Sequence, residues 1–388
     1  MCLRTVSLAA SVVLCIPGIL AQTTTAPHPA HRSSPAAKPG VGDSLDYTPP
    51  LADLSPALRR SAVAAAMRKV ADWQLERAQP YFNKDWTFAA LYDGFMAAAH
   101  SLHEPRYEQA MLEMGNKFNW TTGPRQTVAD DQAIAQTYLG LYFDYHQPRM
   151  IIPTQQQFDT LKTQPDNPAK PVWWWCDALF MAPPVWARLY GATHDISYLN
   201  YMDHEWWITS DLLYDTNEHL FSRDATYLNK HEANGKKLFW SRGNGWVMAG
   251  LARVLEQMPP NYPTRPKYVK QFRQMAARIA QIQSPDGLWR PGLLDAKAYP
   301  LPEVSGSAFF IYAIAWGINH HILKRSEYLP VVEKGWKGLL RHAYVTGRLG
   351  CIQPVGAAPG AYKPTSSYVY GVGAFLLAGS QVLELSKK

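Results

Sequence analysis

The sequence predicts an all-α fold, an (α/α)6 barrel of six helical hairpins, and three observations lead there. One kind of segment recurs along the chain: a small or acidic polar residue, then a strongly apolar run rich in Ala, Gly and Met. More polar, one-faced stretches lie between these segments. The alternating pattern and β-branched enrichment expected of strands are scarce.

The first apolar segment begins near Asp93 (DGFMAAAHSL), and ALRRSAVAAAMRKVADWQL upstream has the pattern of an outer partner. The second begins near Asp131 (DQAIAQTYLGLYF) and the third at Asp177 (DALFMAPPVWARLYG). The fourth opens near Asn244 (NGWVMAGLARVLE), followed by the one-faced stretch YVKQFRQMAARIAQIQ. The fifth starts near Ser305 (SGSAFFIYAIAWGI) and the sixth near Gly371 (GVGAFLLAGSQVLEL). A helix apolar nearly all round is buried and a one-faced helix covers it, so alternating the two gives an inner ring wrapped by an outer one. Inner helices that run the same way bring their polar starts to one mouth. Unpaired N–H groups and positive dipole ends there suit carboxylates. The plain alternative for any single start is an N-cap, and only the whole set argues for convergence.

Ahead of this pattern, Arg4 precedes an apolar run from Val6 to Leu20, so residues 1–21 read as a secretory leader, too short for a membrane span. Residues 22–50, rich in Thr, Ala, Pro and Ser, read as a disordered linker, and 51–388 as one catalytic domain. The expectation is an exported protein, periplasmic or secreted, with no membrane association once the leader is gone. Cys2 and Cys15 fall in the leader; Cys176 and Cys351 pair only if the fold brings them together. Neither paired cysteines nor a His-Glu-x-x-His run marks a zinc site, and no metal or cofactor is expected. The formal charge of +7 is scattered, which disfavours nucleic acid and suits a small anionic ligand. The chain has 14 Trp and 21 Tyr, an excess that serves either a large core or walls on which sugar rings stack. Oligomeric state is left open.

Asp177 follows three consecutive tryptophans, Trp173, Trp174 and Trp175, in KPVWWWCDALFMAPP. A carboxyl group among indoles loses solvation, which raises its pKa and lets it act as a general acid. An ionised N-cap is the equal alternative. Asp130 and Asp131 open the preceding inner segment and point in different directions, so at most one faces the pocket beside Asp177. In KLFWSRGNGWVMAGL, Trp240, Arg242, Asn244 and Trp246 are joined through two glycines, and the Arg242 fork matches a carboxylate; a surface ion pair is the alternative. Trp86, Tyr92, Arg223 and Ser305 are lesser candidates, each readable as packing or capping. No Ser-His-acid set or nucleophile elbow stands out.

Together, WWWCDALFMAPPVWARLYGATHD, FWSRGNGWVMAGLARVLE, SPDGLWRPGLLD and EVSGSAFFIYAIAWGI resemble, in order and spacing, the unsaturated rhamnogalacturonyl hydrolases of glycoside hydrolase family 105. The resemblance implies an (α/α)6 barrel and an unusual hydrolysis. Its substrate is an anionic oligosaccharide ending in a uronic acid with a double bond between carbons 4 and 5, left by a lyase. The family's catalytic aspartate falls on Asp177 and protonates carbon 4; water adds at carbon 5, and the hemiketal opens and releases the next sugar. The second aspartate falls on Asp130 or, one residue on, Asp131. Trp175, Trp240, Arg242 and Trp246 fall on positions lining the uronate pocket. Rhamnose from pectin rhamnogalacturonan is the expected leaving sugar, with ulvan-type uronates as the alternative. Two other readings stand beside this one: an inverting glycosidase or uronate lyase using Asp130 and Asp177 as acid and base, and an exported glycan-binding protein without catalysis.

Overall fold

A computed structural model describes residue 1 and residues 40–164 and 171–386. Apart from Met1, the expected leader and residues 22–39 lie outside the described residues. The helices and strands all belong to the unit Ala36–Lys388.

Fourteen α-helices form six hairpins among the described residues. The first hairpin joins α1 (Arg60–Ala78) to α2 (Trp86–Leu102). The second joins α3 (Pro105–Lys117) to the broken pair α4 (Ala129–Gln132) and α5 (Ala135–Tyr145). In the third, α6 (Ile152–Leu161) leads to a second broken pair, α7 (Ala178–Met181) and α8 (Pro183–Thr193). Helix α9 (Ile196–Leu213) precedes α10 (Ser241–Gln257), and α11 (Arg265–Gln281) precedes α12 (Val304–Asn319). The last hairpin is α13 (Arg325–Leu340) with α14 (Val369–Leu385). Four two-residue strands, β1 (Gly42–Asp43), β2 (Tyr214–Asp215), β3 (Leu220–Phe221) and β4 (Ser367–Tyr368), make two antiparallel pairs, β1 with β4 and β2 with β3.

The second member of each hairpin is the inner one. Helix α2 packs on α5, α5 on α8, α8 on α10, α10 on α12, α12 on α14, and α14 returns to α2, which closes the ring. Every residue of α12 is buried, as an all-round apolar helix requires, whereas α1 and α11 bury one side only. The all-α barrel expected from the sequence is therefore the fold observed. Three inner helices end on a histidine in the left-handed region, His103, His146 and His194 at φ 56, 51 and 59, each returning its N–H to the last turn.

Two expectations need correction. The first inner helix starts at Trp86, capped by Asp85, and Asp93 lies inside it. Asp93 is buried and pairs with Arg253 of α10 at 2.9 Å, so its acidity serves a cross-barrel ion pair and not a helix start. The domain also begins earlier than residue 51. Gly42 and Asp43 pair with Tyr368 and Ser367, and Arg348 holds the Asp43 carbonyl at 2.7 Å. A pairing across so long a loop leaves no local trace in a Pro-rich stretch.

The break between α7 and α8 shapes the site. Pro184 has no N–H to give Phe180, four residues back, and the side chain of Gln136 donates to that carbonyl instead, at 2.7 Å. Helix α10 comes close to the break at Gly250, where a Cβ would lie 2.2 Å from the Leu179 oxygen.

Candidate active site

The tryptophan run enters through a turn at Val172 and Trp173, and the Trp174 and Trp175 rings lie together at 4.7 Å. Trp173 and Trp175 turn inward, while Trp174 stands 49% exposed. The run is pinned to the segment after β3: Trp175 bridges Asp224, and the Cys176 N–H donates to the Arg223 carbonyl at 2.8 Å. This delivers Asp177 to the N-cap position of α7. There it makes no side-chain cap bond, so the capping alternative is not realised. Its Oδ1 accepts a hydrogen bond from the Cys176 thiol at 3.2 Å. Burial pushes the Asp177 carboxyl above its ordinary range, against the pull of Arg223, the thiol bond and Arg242.

Asp130 and Asp131 separate cleanly. Asp131 accepts the Arg125 backbone N–H at 2.7 Å and its guanidinium at 2.6 Å, tying the 123–131 turn together. That interaction is structural, which corrects the expectation that Asp131 touches substrate. Asp130 lines a cleft of about 480 Å³ with Arg125, Val128, Trp174, Trp175 and Arg223. Its pKa is pushed up to about 7, by burial first and then by the charge of Asp177. Two neighbouring carboxyls that each resist ionisation form an acid pair.

Trp86 is partly exposed and lies against Tyr370 at 5.3 Å and edge-on to Trp246 at 6.0 Å. Arg223 bonds Asp224 at 2.6 Å and lies 5.4 Å from the Trp174 ring. The remaining candidates support this wall from behind. Trp246 is fully buried against Phe180 and Phe309. Trp240, also buried, donates to Gln353 at 3.0 Å. Arg242 is 1% exposed, between the Trp240 and Tyr370 rings at 4.4 and 4.9 Å, and its two Nη atoms donate to the Gln353 and Pro354 carbonyls. It anchors that loop through both Nη atoms, and its charge acts on Asp177.

Asn244 is committed to the backbone of Phe221, accepting its N–H at 2.7 Å and donating to its carbonyl at 3.0 Å. Through β3 it fixes the stretch that ends at Arg223. The Ser305 hydroxyl bonds Glu303, which caps α12 through the N–H groups of Ser305 and Gly306. Tyr92 is buried with its hydroxyl on the Asn83 backbone. These three candidates are structural. A buried side chain whose polar atoms are all bonded within the protein has nothing left for a ligand.

Sequence reasoning missed Arg125, Trp174 and Tyr370 as contributors. For Trp174 the signal was the tryptophan run itself, in which it adjoins Trp175. Cys176 and Cys351 are both free.

The chain matches the model of Glycosyl Hydrolase Family 88 over residues 59–386. A relative from Formosa agariphila, named unsaturated 3S-rhamnoglycuronyl hydrolase, is 39% identical over 351 residues, which is 85% of this chain and 93% of that protein. A solved family 88 glycosyl hydrolase from Bacteroides vulgatus is 31% identical and superposes with a TM-score of 0.79 over 84% of this chain and 99% of its own. A family 105 glycoside hydrolase from C. acetobutylicum, 18% identical, shares the fold with a TM-score of 0.69 over 82% of this chain and 98% of its own. With nearly the whole barrel inside the matched stretch, the chain belongs to Glycosyl Hydrolase Family 88.

Proposed function

We propose that the protein removes a 4,5-unsaturated uronic acid from the non-reducing end of lyase-generated oligosaccharides by hydrating the double bond. The observation that carries this reading is Asp177: it heads an inner helix without capping it, beside a second carboxyl that also resists ionisation. A carboxyl held protonated can deliver a proton to carbon 4 of an enol ether, and as a carboxylate it can take one from the incoming water. Asp130, which lines the cleft, then orients water or the sugar.

The leaving sugar lies toward the outer cleft, where exposed Trp174 offers a flat face and Arg125 and Arg223 offer positive charge. Rhamnose is the sugar proposed there. The Formosa relative's name and the two arginines favour a rhamnose bearing an anionic group over the neutral rhamnose of pectin. We also propose export, on the leader-like residues 1–21; N-terminal sequencing of the protein from culture fluid or periplasm tests it.

The main test offers purified protein matched saturated and unsaturated uronyl-rhamnose disaccharides, with and without a sulfate on the rhamnose. Loss of the double bond's ultraviolet absorbance with the unsaturated pair alone is expected, faster for the sulfated one. Turnover of the saturated sugars instead would favour the inverting glycosidase, and binding without turnover a lectin-like role.

A further inference from the structure

We propose that Cys176 is a positioning residue for this hydration, its thiol fixing which oxygen of Asp177 carries the proton. The inference rests on the hydration reading of the site and adds a residue to it.

The Cys176 sulfur lies 3.2 Å from Asp177 Oδ1, is fully buried, and is held by the backbone bond from its N–H to Arg223. Burial and the neighbouring Asp177 push the thiol pKa well up, so the group stays S–H and can only donate to a carboxylate beside it. An Oδ1 that accepts this bond is the carbonyl-like oxygen of the acid. The proton is then on Oδ2.

A second observation shows that the fold makes room for this pair. Gly243, in the Arg-Gly-Asn-Gly-Trp tract of α10, faces it, and a Cβ there would lie 2.9 Å from the Cys176 sulfur and 3.4 Å from Asp177 Oδ1. The glycine is needed for clearance, which links the two most distinctive tracts of the sequence through one contact. Other charged groups bear on Asp177 from the neighbouring elements: Arg223 after β3, Arg242 on α10 and Asp130 on α4, with Asp224 acting on the thiol. Of these, Arg223 is itself coupled to Cys176.

In the reaction, the Oδ2–H bond breaks and its electron pair stays on Asp177, while the carbon 4–carbon 5 π pair forms the new C–H bond at carbon 4. Positive charge at carbon 5 is shared by the ring oxygen. Water oxygen then bonds carbon 5 and returns a proton to Oδ2, so the acid is restored. A thiol that only stabilises the ionised form lowers the carboxyl pKa; one that also fixes Oδ1 keeps the same oxygen facing the substrate in both half-steps.

The test compares Cys176→Ala and Cys176→Ser with the unaltered protein on an unsaturated uronyl-rhamnose disaccharide. In Cys176→Ala the falling limb of the pH–rate profile should move to higher pH by about half a unit to one unit, because a donor to the carboxylate is gone. Its kcat should fall about tenfold with KM nearly unchanged. Cys176→Ser keeps a donor and should retain the limb and most of the rate. Two readouts need no turnover: the S–H infrared band of the unaltered protein, shifted by the hydrogen bond and moved by Asp177→Asn, and a carbon-13 titration of the Asp177 carboxyl. An unshifted S–H band, or a Cys176→Ala protein with the original titration, overturns the proposal. If those two hold while the unaltered protein turns over no unsaturated sugar, the function fails and the thiol–carboxyl coupling stands.

Discussion

Replacing each member of the Asp130–Asp131 pair by asparagine separates a residue kept for chemistry from one kept for the fold. The Asp130 carboxyl is raised from 3.8 to about 7. An unfolded aspartate titrates near 3.9, so the native state holds a proton that the unfolded chain has lost between about pH 4 and 7. Stability therefore falls as pH rises through that window and is flat above it. Roughly three units at about 1.4 kcal/mol each set a ceiling near 4 kcal/mol, and partial exposure of Asp130 cuts it to about 2 kcal/mol. Asp130→Asn should accordingly gain about 2 kcal/mol in urea unfolding at pH 8 and almost nothing at about pH 4, while losing activity. Asp131→Asn breaks the tie to Arg125 and should lose about 1–2 kcal/mol with activity largely kept. An Asp130→Asn protein that is less stable than the parent at pH 8, or a gain that does not vary with pH, would refute the assignment.

Asp177→Asn should cut the rate on unsaturated disaccharide by about 100-fold or more without lowering the melting temperature, since no capping bond is lost; near-parental turnover would remove Asp177 from the mechanism. Trp174→Ala should raise KM about tenfold with kcat within about threefold, the scale of one stacked ring, measured by initial rates on the disaccharide. Arg253→Met removes the ion pair of buried Asp93, which keeps the Thr137 hydroxyl and the charge of Arg188, and frees Gln136 at the α7–α8 break; it should destabilise the barrel by about 3 kcal/mol, read by urea unfolding.

The ring was legible because burial imposes composition on a whole helix. α12 must be apolar on every side to sit among α10, α13 and α14, and no other element explains such a run. Asp177 was legible for a similar reason, as a charge beside indoles calls for an account wherever it sits. Arg242, Asn244 and Ser305 were not, because a polar side chain that serves a ligand and one that serves a backbone carbonyl look the same in sequence. The partners of the first two, Gln353 for Arg242 and Phe221 for Asn244, are remote in the chain and come together only when the hairpins close. Asp93 misled because an acid before an apolar run is a common helix start, and nothing local reveals Arg253 across the barrel.

The mouth of this barrel and its chemistry make opposite demands, and the broken helices reconcile them. A helix N-terminus favours an ionised carboxylate, yet the proposed reaction needs a protonated one. Asp85 and Glu303 head helices of 17 and 16 residues and cap them through backbone N–H groups. Asp130 and Asp177 instead belong to α4 and α7, each of four residues before an interruption of the hydrogen-bond ladder, and Asp177 makes no side-chain cap bond. Burial then decides, and both groups are raised. For α7 the cause is local: Pro183 and Pro184 supply no N–H groups, and Gln136 takes the Phe180 carbonyl that the helix would have used. Pro184→Ala restores that donor and favours continuation of α7 into α8. The falling limb of the pH–rate profile should then move to lower pH by about half a unit, as an unbroken hydrogen-bond ladder strengthens the positive end at Asp177. A limb that stays in place, in a variant whose amide exchange shows the healed helix, would mean that the proline break serves packing alone.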